Sequence, residues 1–370
     1  MQQPTKRPLR ILHLLAGSDA GGVSRYLLDL GSAMRQQGHE VIFAGQRGAW
    51  QDRFDRLGLP WIDIPLAGGP LAIWKARSIL RGYLREHPVD VLHSHYRRAT
   101  WLGRRLQKHG SPPVLYTLHL SHMPMTWARR WLTDFGDHVH VASMQAHDWT
   151  IAERLATESR ITYIPHGIDP NLYPIATESD RANSRRRWNL PMDATVAAYV
   201  GRLDYPKNED WLLDVLQRCD AHLLVAATGP HEDAFRAAIA ARNLNDRVTL
   251  LGEMQSPLSV YQAADILLLP SLREGFSYVN AEAMSVGIPT LRTQTSGSMD
   301  LIEQIVTGMY VPIDRQAFVE AAMSFLSDRN RLRTMGIAAA ARAREKFTFD
   351  KQLEKTIELY QYMAATLQRP

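Results

Sequence analysis

Short runs of apolar residues alternate along this chain with longer stretches in which apolar residues recur every three or four positions. The short runs have the length of buried β-strands, and the longer stretches have the period of amphipathic helices. The alternation predicts an α/β fold in which helices cover both faces of parallel sheets. The predicted strands are residues 9–17, 41–45, 61–65, 89–95, 113–119, 138–143 and 161–167, and then 195–204, 221–230, 247–253, 264–271 and 288–293.

The first predicted helix illustrates the pattern. In the stretch GGVSRYLLDLGSAMRQQG, Leu27, Leu30 and Met34 recur at helical spacing on one face. Gly38 follows, and glycine readily adopts the left-handed conformation that closes a helix. We therefore expect a helix that starts near Val23 and stops at Gly38.

The alternation pauses in the middle of the chain and then starts again. Residues 166–194 contain three prolines together with turn-forming and charged residues, which is typical of a domain boundary. We expect a first Rossmann-like domain at 1–172, a second at 173–348, and a last helix at 349–370 that packs back on the first. Because ligands bind beyond the carboxyl ends of such strands, the predicted site is a cleft between the domains.

Composition narrows the classes of protein that fit. The 370 residues are 45% hydrophobic and 22% charged, as in an ordinary globular protein. Cys219 is the single cysteine, which excludes a disulfide framework and a cysteine zinc site. We expect a cytosolic protein, because the polar start does not resemble a signal peptide and no apolar run reaches the roughly 18–20 residues that span a bilayer.

The net charge of +5 is concentrated in the first half. Up to Pro174 the chain has 21 Lys and Arg against 14 Asp and Glu, whereas the remainder has 22 against 24. A basic half suits an anionic partner, such as nucleic acid, an acidic membrane or a phosphorylated substrate. Nucleic acid is disfavoured, because the sequence has no recognised nucleic-acid-binding module.

Two basic stretches suggest peripheral contact with an anionic membrane, because basic residues beside interfacial tryptophans are typical of such surfaces. The first stretch contains no acid and five basic residues, namely Arg97, Arg98, Arg104, Arg105 and Lys108. The second, TWARRW, contains Trp127, Arg129, Arg130 and Trp131, with the two tryptophans four positions apart. The alternative is a solvated helix with two core tryptophans.

A glycine-rich loop follows the first predicted strand. Gly17, Gly21 and Gly22 precede the first helix, and glycines let a backbone approach a ligand at the N–H groups of a helix start. The G-x-G-x-x-G spacing of a dinucleotide fingerprint is absent. The loop is therefore either a binding loop or a plain tight turn. If it binds, we expect Asp19 to face the acceptor.

Two further loops carry residues suited to a nucleotide sugar. Arg202 and Lys207 follow the first strand of the second half, where a guanidinium and an ammonium can hold phosphate oxygens. In SLREGFSYVNAEAM, a helix begins near Ser277, and its N–H groups suit a diphosphate. Glu282, one turn inside, can accept from ribose hydroxyls, while Glu274 reaches towards the sugar. The alternatives are a solvated charged loop and a capped helix with surface acids.

In this order, the fragments resemble the retaining glycosyltransferases of family 4, which have the GT-B architecture. The matching fragments extend over most of the chain: GSDAGGVSRYLLDLGSAMRQQGHEV, VLHSHY, YTLH, IPHGIDP, VGRLDYPKNEDWLL, TGP, LGE, YQAADILLLPS and EGFSYVNAEAMSVGIP. The pair of glutamates eight positions apart is the most diagnostic feature.

The resemblance implies a role for each matching residue. Gly21 and Gly22 would lie near the donor phosphates and the transferred sugar, and His119 would contact the sugar near the reacting centre. Asp19 and His95 would lie on the acceptor side. The implied donor contacts in the second domain are Arg202 and Lys207 for the diphosphate, Glu274 for the sugar, Glu282 for the ribose, the backbone around Gly252 for the base, and the loop residues Gly275, Phe276, Ser277, Tyr278 and Val279.

The implied reaction is transfer with retained anomeric configuration, by front-face displacement. It requires no cofactor and no metal, and the sequence contains no Asp-x-Asp motif. Ser277, Asn208 and the stretch TSGSMDLI depart from the family pattern around the phosphates. These departures leave the donor open, with a UDP-sugar first and GDP-mannose second.

His93 and His95 alternate at a strand end and are potential metal ligands, but no third ligand is evident nearby in the sequence. We therefore expect packing or substrate contact rather than a metal.

Three functions remain open. The favoured one is a hexosyltransferase acting on a saccharide or lipid-linked acceptor in surface polysaccharide biosynthesis. The others are a sugar-nucleotide 2-epimerase on the same scaffold and a non-catalytic sugar-nucleotide-binding protein.

Overall fold

The computed structural model describes residues 7–19, 21–66, 68–107 and 112–367, without the side chains of Ala128, Trp131 and Leu132. The chain divides into two compact units. Unit 1 contains the residues up to Pro165 and those from Gln352 onward, and unit 2 contains residues 166–351. Each unit is built around one parallel sheet, so the predicted α/β class with two Rossmann-like halves is confirmed.

Unit 1 has a seven-stranded sheet over the described residues, and all seven strands predicted for the first half are present. They are β1 (Arg10–Gly17), β2 (Glu40–Gln46), β3 (Trp61–Asp63), β4 (Val91–Ser94), β5 (Val114–Leu118), β6 (His138–Val141) and β7 (Ile161–Tyr163). Their order is β3-β2-β1-β4-β5-β6-β7, with every neighbouring pair parallel. The order reverses between β1 and β4, and loops at such a point are where ligands of open sheets bind.

The helices of unit 1 alternate with its strands, and most of them bury apolar residues. They are α1 (Gly22–Gln36), α2 (Gln51–Arg56), α3 (Pro70–Glu86), α4 (Arg97–Leu106), α5 (Trp127–Leu132) and α6 (Met144–Ala152). Leu27, Leu30 and Met34 of α1 are fully buried, as their spacing predicts. Gly38, just past the end of α1, has a φ of +85°, which is the left-handed closing conformation expected there.

Unit 2 has a six-stranded parallel sheet in the order β10-β9-β8-β11-β12-β13 over the described residues. Its strands are β8 (Val196–Arg202), β9 (His222–Thr228), β10 (Val248–Leu250), β11 (Ile266–Leu269), β12 (Thr290–Thr293) and β13 (Gly308–Val311). The sequence predicted five of them and missed β13. Because β13 has four residues and starts with a glycine, its apolar run is too short to stand out.

The helices of unit 2 are α7 (Glu178–Arg187), α8 (Asp210–Arg218), α9 (Glu232–Ala241), α10 (Leu258–Ala263), α11 (Tyr278–Val286), α12 (Ser298–Leu301), α13 (Arg315–Leu326) and α14 (Arg329–Lys346). The last helix, α15 (Phe349–Thr366), begins within unit 2, and its residues from Gln352 onward belong to unit 1.

The stretch predicted as a domain boundary contains a helix, α7, that the sequence analysis did not predict. The helix starts with a capping box in which Thr177 accepts from the Asp180 N–H and the Asp180 carboxylate accepts from the Thr177 N–H. It packs through charge rather than through an apolar face, because the buried Arg185 donates to the buried Asp265 at 2.9 Å. Apolar periodicity therefore gave no signal for this helix.

Asp265 joins α7 to the sheet of unit 2. Its carboxylate also pairs with Arg181 and accepts from the Val196 N–H at 2.8 Å.

We expect Asp265→Ala to lower the free energy of unfolding by about 3–5 kcal/mol, because it leaves a buried guanidinium without its anion. Urea unfolding measures this change. The matched control is Glu232→Ala, which removes an exposed pair with Arg236 and should cost about 1 kcal/mol or less. Equal losses for the two variants would contradict the assigned role.

Candidate functional site

The loop after β11 holds a charged pair at the carboxyl end of the sheet of unit 2. Lys207 Nζ lies 2.5 Å from Glu274 Oε1, and the Ser271 hydroxyl donates to the same oxygen at 2.9 Å. Both charged side chains are largely buried, with 24% of Lys207 and 13% of Glu274 exposed. The sequence analysis predicted separate ligand contacts for these residues, a diphosphate for Lys207 and a sugar for Glu274. The structure brings them into direct contact, so each sets the position of the other.

The carboxylate of Glu274 is held in its ionised form. Burial alone would raise the pKa of Glu274, but the charges of Lys207 and Arg292 and the hydrogen bonds from Lys207 and Ser271 outweigh it and lower the pKa. An ionised carboxylate only accepts hydrogen bonds. Glu274 is therefore suited to bind hydroxyl groups and unsuited to donate a proton.

Arg292 is a functional candidate that the sequence analysis missed. Its side chain, on β12, is fully buried, and Nη2 donates to the Thr295 hydroxyl at 2.6 Å. Nε and Nη1 make no hydrogen bond to any described residue. Burial lowers the pKa of Arg292 to about 10, against the charges of Glu274 and Asp300, so the side chain stays cationic at neutral pH. The signal was present in the sequence, as a charged residue inside the apolar run IPTLRT.

Arg202 lies at the end of β8, and 58% of its side chain is exposed. Its guanidinium pairs with Asp204 at 3.0 Å. A surface pair of this kind contributes about 0–1 kcal/mol, so exchanging Asp204 for a ligand anion costs little. Arg202 is thus accessible to a ligand, although it is not part of the buried charge cluster formed by Lys207, Glu274 and Arg292.

Helix α11 starts directly after the Glu274 loop. Ser277 precedes its first turn, and the Ser277 hydroxyl makes no hydrogen bond to a described residue. The N–H groups of a first turn have no partner within their own helix, so this start can receive an anion. Gly297 has a φ of +76°, and a Cβ there would lie 2.9 Å from the Gly275 carbonyl oxygen. A side chain at residue 297 would therefore push the loop away from its position.

Aromatic side chains fix the same loop from the other side. The ring of Tyr278 stacks on that of His166 with centroids 5.3 Å apart, and Phe276 meets His166 edge-on at 5.4 Å. Phe276 is buried and also packs on Phe347. The side chains of Phe276 and Tyr278 thus support the loop, while Val279 is half-buried in the first turn of α11.

Glu282 lies one turn inside α11 and is fully buried. The Tyr261 hydroxyl, from α10, donates to Glu282 Oε2 at 2.7 Å. Because the side chain is enclosed by protein, contact with a ribose requires neighbouring groups to move. Gly252, in the loop after β10, has a φ of +70°, and a Cβ there would meet no atom within 4 Å. Its position needs glycine for the backbone conformation rather than for space.

The glycine-rich loop of unit 1 leads into α1. Gly21 precedes the helix with a φ of +150°, and Gly22 is its first residue. Asp19 is exposed, and its carbonyl accepts from the Ser24 hydroxyl at 2.5 Å. Ala20, between them, lies outside the described residues. The predicted acceptor-side residue Asp19 therefore lies at the surface of the loop that begins α1.

A row of histidines runs from His13, in the middle of β1, to His95 and His119, which directly follow β4 and β5. His13 Nδ1 lies 3.0 Å from His95 Nε2, and His95 Nδ1 lies 3.1 Å from His119 Nε2. Burial lowers the pKa of His13 and that of His119 to about 3, and burial together with the other histidines lowers the pKa of His95 well below its usual value. All three rings are thus neutral at physiological pH.

The structure brings a third histidine, distant in sequence, close to His93 and His95. His13 is paired with His93 in the sheet register, and ligand atoms of the three rings lie within 4.8 Å of one another. However, five of the six ring nitrogens already have partners. His93 is bonded to Tyr360 and to Thr117, both at 2.6 Å, and His95 is bonded to His13 and to His119, so that His13 Nε2 alone has no partner among the described residues. The arrangement therefore fits a hydrogen-bonded network better than a metal centre.

The basic surface of unit 1 is less uniform than its sequence suggests. Arg104 is neutralised by Asp134 at 3.3 Å and by Asp137, both distant in sequence. The guanidinium of Arg105 stacks over Trp101 at 3.4 Å. A cavity of about 370 Å³ is lined by Ile73, Arg97, Arg98, Trp101, Arg129 and Thr133.

Unit 1, which contains the cavity lined by Arg97, Arg98 and Arg129, also has large exposed apolar side chains. Trp127 is 83% exposed, so it is not a core residue, and Leu71 and Trp74 are 78% and 66% exposed. Lys108 and the side chain of Trp131 lie outside the described residues. Within the described part of the chain, every helix is too short or too polar to cross a membrane.

Comparisons with known proteins agree with the fold. The family model "Glycosyltransferase Family 4" matches residues 20–172, and "Glycosyl transferases group 1" matches residues 180–342. The chain is 28% identical over 373 residues to a D-inositol 3-phosphate glycosyltransferase of Corynebacterium aurimucosum, with 88% of each chain covered.

Two solved structures share the fold. Alr3699/HepE of Anabaena, determined in complex with UDP, superposes with a TM-score of 0.85 at 20% identity, covering 96% of this chain and 100% of that one. A sucrose-phosphate synthase of Thermosynechococcus elongatus gives a TM-score of 0.82 at 22% identity, covering 96% and 99%.

The Glu274 site predicts a specific dependence of stability on pH. Because the folded protein lowers the pKa of Glu274, its ionised form adds stability above the usual glutamate pKa of 4.5, and this stability is lost as the pH falls through the lowered value. We expect the difference in unfolding free energy between the wild type and Glu274→Gln to be constant from pH 7 to about 5 and to shrink below about 4.5.

Urea unfolding at several pH values measures this difference. Glu345→Gln serves as the control, since Glu345 is exposed on α14 and its replacement should give a small difference at every pH. A difference for Glu274→Gln that grows as the pH falls would show that the fold disfavours the ionised form, contrary to the assignment.

Proposed function

Because this chain belongs to the glycosyltransferases of the GT-B architecture, with family models that match both of its units, we propose that it moves a hexose from a nucleotide diphosphate sugar with retained configuration. The single observation that carries the proposal is the charge cluster of Lys207, Glu274 and Arg292 beside the start of α11. It combines cations for a diphosphate with a carboxylate for hydroxyl groups.

The donor in this proposal is a UDP-sugar, with GDP-mannose as the second choice. Support for uridine comes from Alr3699/HepE, which shares the fold and was solved with UDP. In our chain, the diphosphate is assigned to Arg202, Lys207 and the N–H groups at the start of α11. Negative charge grows on the diphosphate as the glycosidic bond breaks, and fixed cations and N–H donors stabilise that charge. The residues thus supply the electrostatic part of catalysis without a metal ion.

The two glutamates take different parts. Glu274 is ionised and partly accessible, so we assign it to the hydroxyls of the transferred sugar. Glu282 is assigned to the ribose, with Tyr261 holding one of its oxygens. Since Glu282 is enclosed by protein, this contact forms only when the side chains around α10 and α11 move to admit the nucleoside.

The acceptor is assigned to unit 1, where Asp19 and His95 lie in the loops after β1 and β4. Gly21, Gly22 and His119 of the same unit are assigned to the donor phosphates and the transferred sugar. We propose a saccharide or a lipid-linked saccharide of a surface polysaccharide. The relative from Corynebacterium aurimucosum is named for an inositol phosphate acceptor, so phosphorylated polyols belong in any acceptor screen.

A thermal-shift screen of nucleotide sugars tests the donor directly. A ligand at about 100 times its Kd stabilises the folded state by about 2.7 kcal/mol, so the true donor should stand out. With that donor, transfer to an acceptor followed by NMR reports the configuration of the new linkage, and we expect retention and full activity in EDTA. Release of an epimerised sugar without transfer would indicate the epimerase instead, and a stabilising donor without turnover would indicate a binding protein.

Replacing the two glutamates should separate binding from turnover. We expect Glu282→Ala to weaken donor affinity roughly tenfold or more, because a charge-assisted hydrogen bond contributes about 1.5–3 kcal/mol. Glu274→Ala should lower kcat with a smaller effect on donor Kd, since its contacts strengthen as charge develops on the sugar. Calorimetry and steady-state kinetics measure the two effects. Unchanged affinity and rate in both variants would remove these assignments.

Peripheral membrane contact is assigned to the Arg97, Arg98 and Arg129 cavity and the exposed Trp74 and Trp127. Each basic residue near an anionic surface contributes about 1 kcal/mol. The triple variant Arg97→Ala, Arg98→Ala, Arg129→Ala should therefore pellet far less with phosphatidylglycerol vesicles.

The charge-matched control for the vesicle assay lies on unit 2. It combines Arg218→Ala, Arg236→Ala and Arg333→Ala, which replace three exposed arginines. We expect this control to pellet like the wild type. Equal pelleting of both triple variants would assign any membrane binding to net charge alone and end the proposal of a docking surface.

A further inference from the structure

The histidine row of unit 1 forms a continuous hydrogen-bonded chain. His13 lies on β1, and His95 and His119 directly follow β4 and β5, which are consecutive neighbours in the sheet. The backbone N–H of His95, whose ring is the middle one of the three, donates to the Leu14 carbonyl at 3.1 Å. This bond fixes the backbone at His95. Tyr26 of α1 packs edge-on against the rings of His95 and His119, with centroids 5.8 and 5.9 Å away. The three rings are thus held by their surroundings as well as by each other.

The chain has two possible directions. A neutral imidazole has one N–H donor and one acceptor nitrogen, and both nitrogens of His95 are used. In the first direction, His13 Nδ1–H donates to His95, and His95 Nδ1–H donates to His119 Nε2. In the second, every bond is reversed, and His119 carries its proton on Nε2. The direction therefore decides which nitrogen of His119 is protonated.

The surroundings of His13 Nε2 favour one of the two directions. His13 is fully buried, and its Nε2 makes no hydrogen bond to any described residue. In the second direction this atom would be a buried N–H donor without an acceptor, whereas in the first it is an acceptor without a donor. Orphaned N–H donors are the rarer of the two defects in folded proteins.

We propose that the chain from His13 through His95 fixes the proton of His119 on Nδ1. His13 and His95 are then positioning residues, and His119 accepts at Nε2 from His95 and donates from Nδ1. Resting on the proposed function, this makes His119 a hydrogen-bond donor to an oxygen of the transferred sugar. Burial keeps all three rings neutral, with the pKa of His13 and of His119 near 3, so no proton needs to travel along the chain.

Nitrogen NMR of the folded protein labelled with ¹⁵N-histidine tests the tautomer without any activity measurement. Correlations from the ring carbon-bound protons distinguish the protonated nitrogen from the other one, and His119→Gln identifies the signals of His119 by their loss. We expect His119 to be protonated on Nδ1 in the free protein. A proton on Nε2 of His119 would overturn the proposal. Because no substrate is present, this result is independent of whether the protein is a glycosyltransferase.

Variants of His13 test the cause. An asparagine places its amide nitrogen near the position of Nδ1, whereas a leucine offers no donor. We expect His13→Leu to move part of the His119 proton to Nε2 and to lower kcat roughly five- to tenfold, the equivalent of one hydrogen bond, with donor KM unchanged. His13→Asn should keep the wild-type tautomer and most of the rate. If His13→Leu leaves the His119 signals unchanged, the direction of the chain does not depend on His13 and the proposal fails.

The experiment includes a control variant and a test of the alternative that the histidines bind a metal ion. His138→Leu removes another buried histidine of the same sheet, one bonded to Thr162 at 2.8 Å, and should leave the signals of His119 unchanged. The rival is a metal ion bound by His13, His93 and His95. One equivalent of zinc in the purified protein, lost in His13→Leu, would replace the hydrogen-bonded chain by metal ligation and overturn the proposal. Metal-free protein with His119 protonated on Nδ1 supports it.

Discussion

Parallel strand direction is the constraint on which the rest of this structure depends. In each unit all strands run the same way, so every loop that follows a strand emerges at the same edge of the sheet. That edge collects residues that are far apart in sequence. In unit 2 it brings Lys207 to Glu274, and in unit 1 it brings His13 to His95 and His119. The chemistry of both units thus follows from backbone geometry before any side chain makes a contact.

Charge compensation is the second condition, because the residues concerned are buried. Lys207 and Arg292 are set against Glu274, and Arg181 and Arg185 are set against Asp265. The first group lies at the carboxyl edge and includes accessible atoms, whereas the second ties α7 to the sheet. The same physical device therefore prepares a binding position in one place and fixes a helix in the other. In the first group, two nitrogens of Arg292 have no partner among the described residues.

The sequence predicted what depends on periodicity, which includes every strand but β13, helix α1 and the loops after the predicted strands. It also identified Glu274, because an acid between a strand and a helix start is visible in one dimension. It could not identify the contact of Glu274 with Lys207, nor the place of His13, because both depend on which strands become neighbours. Helix α7 was not predicted because its buried face is formed by charged residues. Arg292 was not predicted because the sequence alone does not distinguish a buried arginine from a surface one. Whether Glu282 meets a ribose is open to experiment, since the structure encloses it.

The division of α15 between the two units has a consequence for how the chain reaches its folded state. Tyr360 is fully buried in unit 1, and its hydroxyl is bonded to His93 at 2.6 Å. The residues that finish unit 1 therefore come after all of unit 2 in the chain. During synthesis, domains fold as their residues emerge. The sheet of unit 1 therefore lacks the part of its core that α15 supplies until unit 2 has been synthesised. The unit that begins first is completed last, and a chain truncated before Gln352 would lack the buried Tyr360 that bonds to His93.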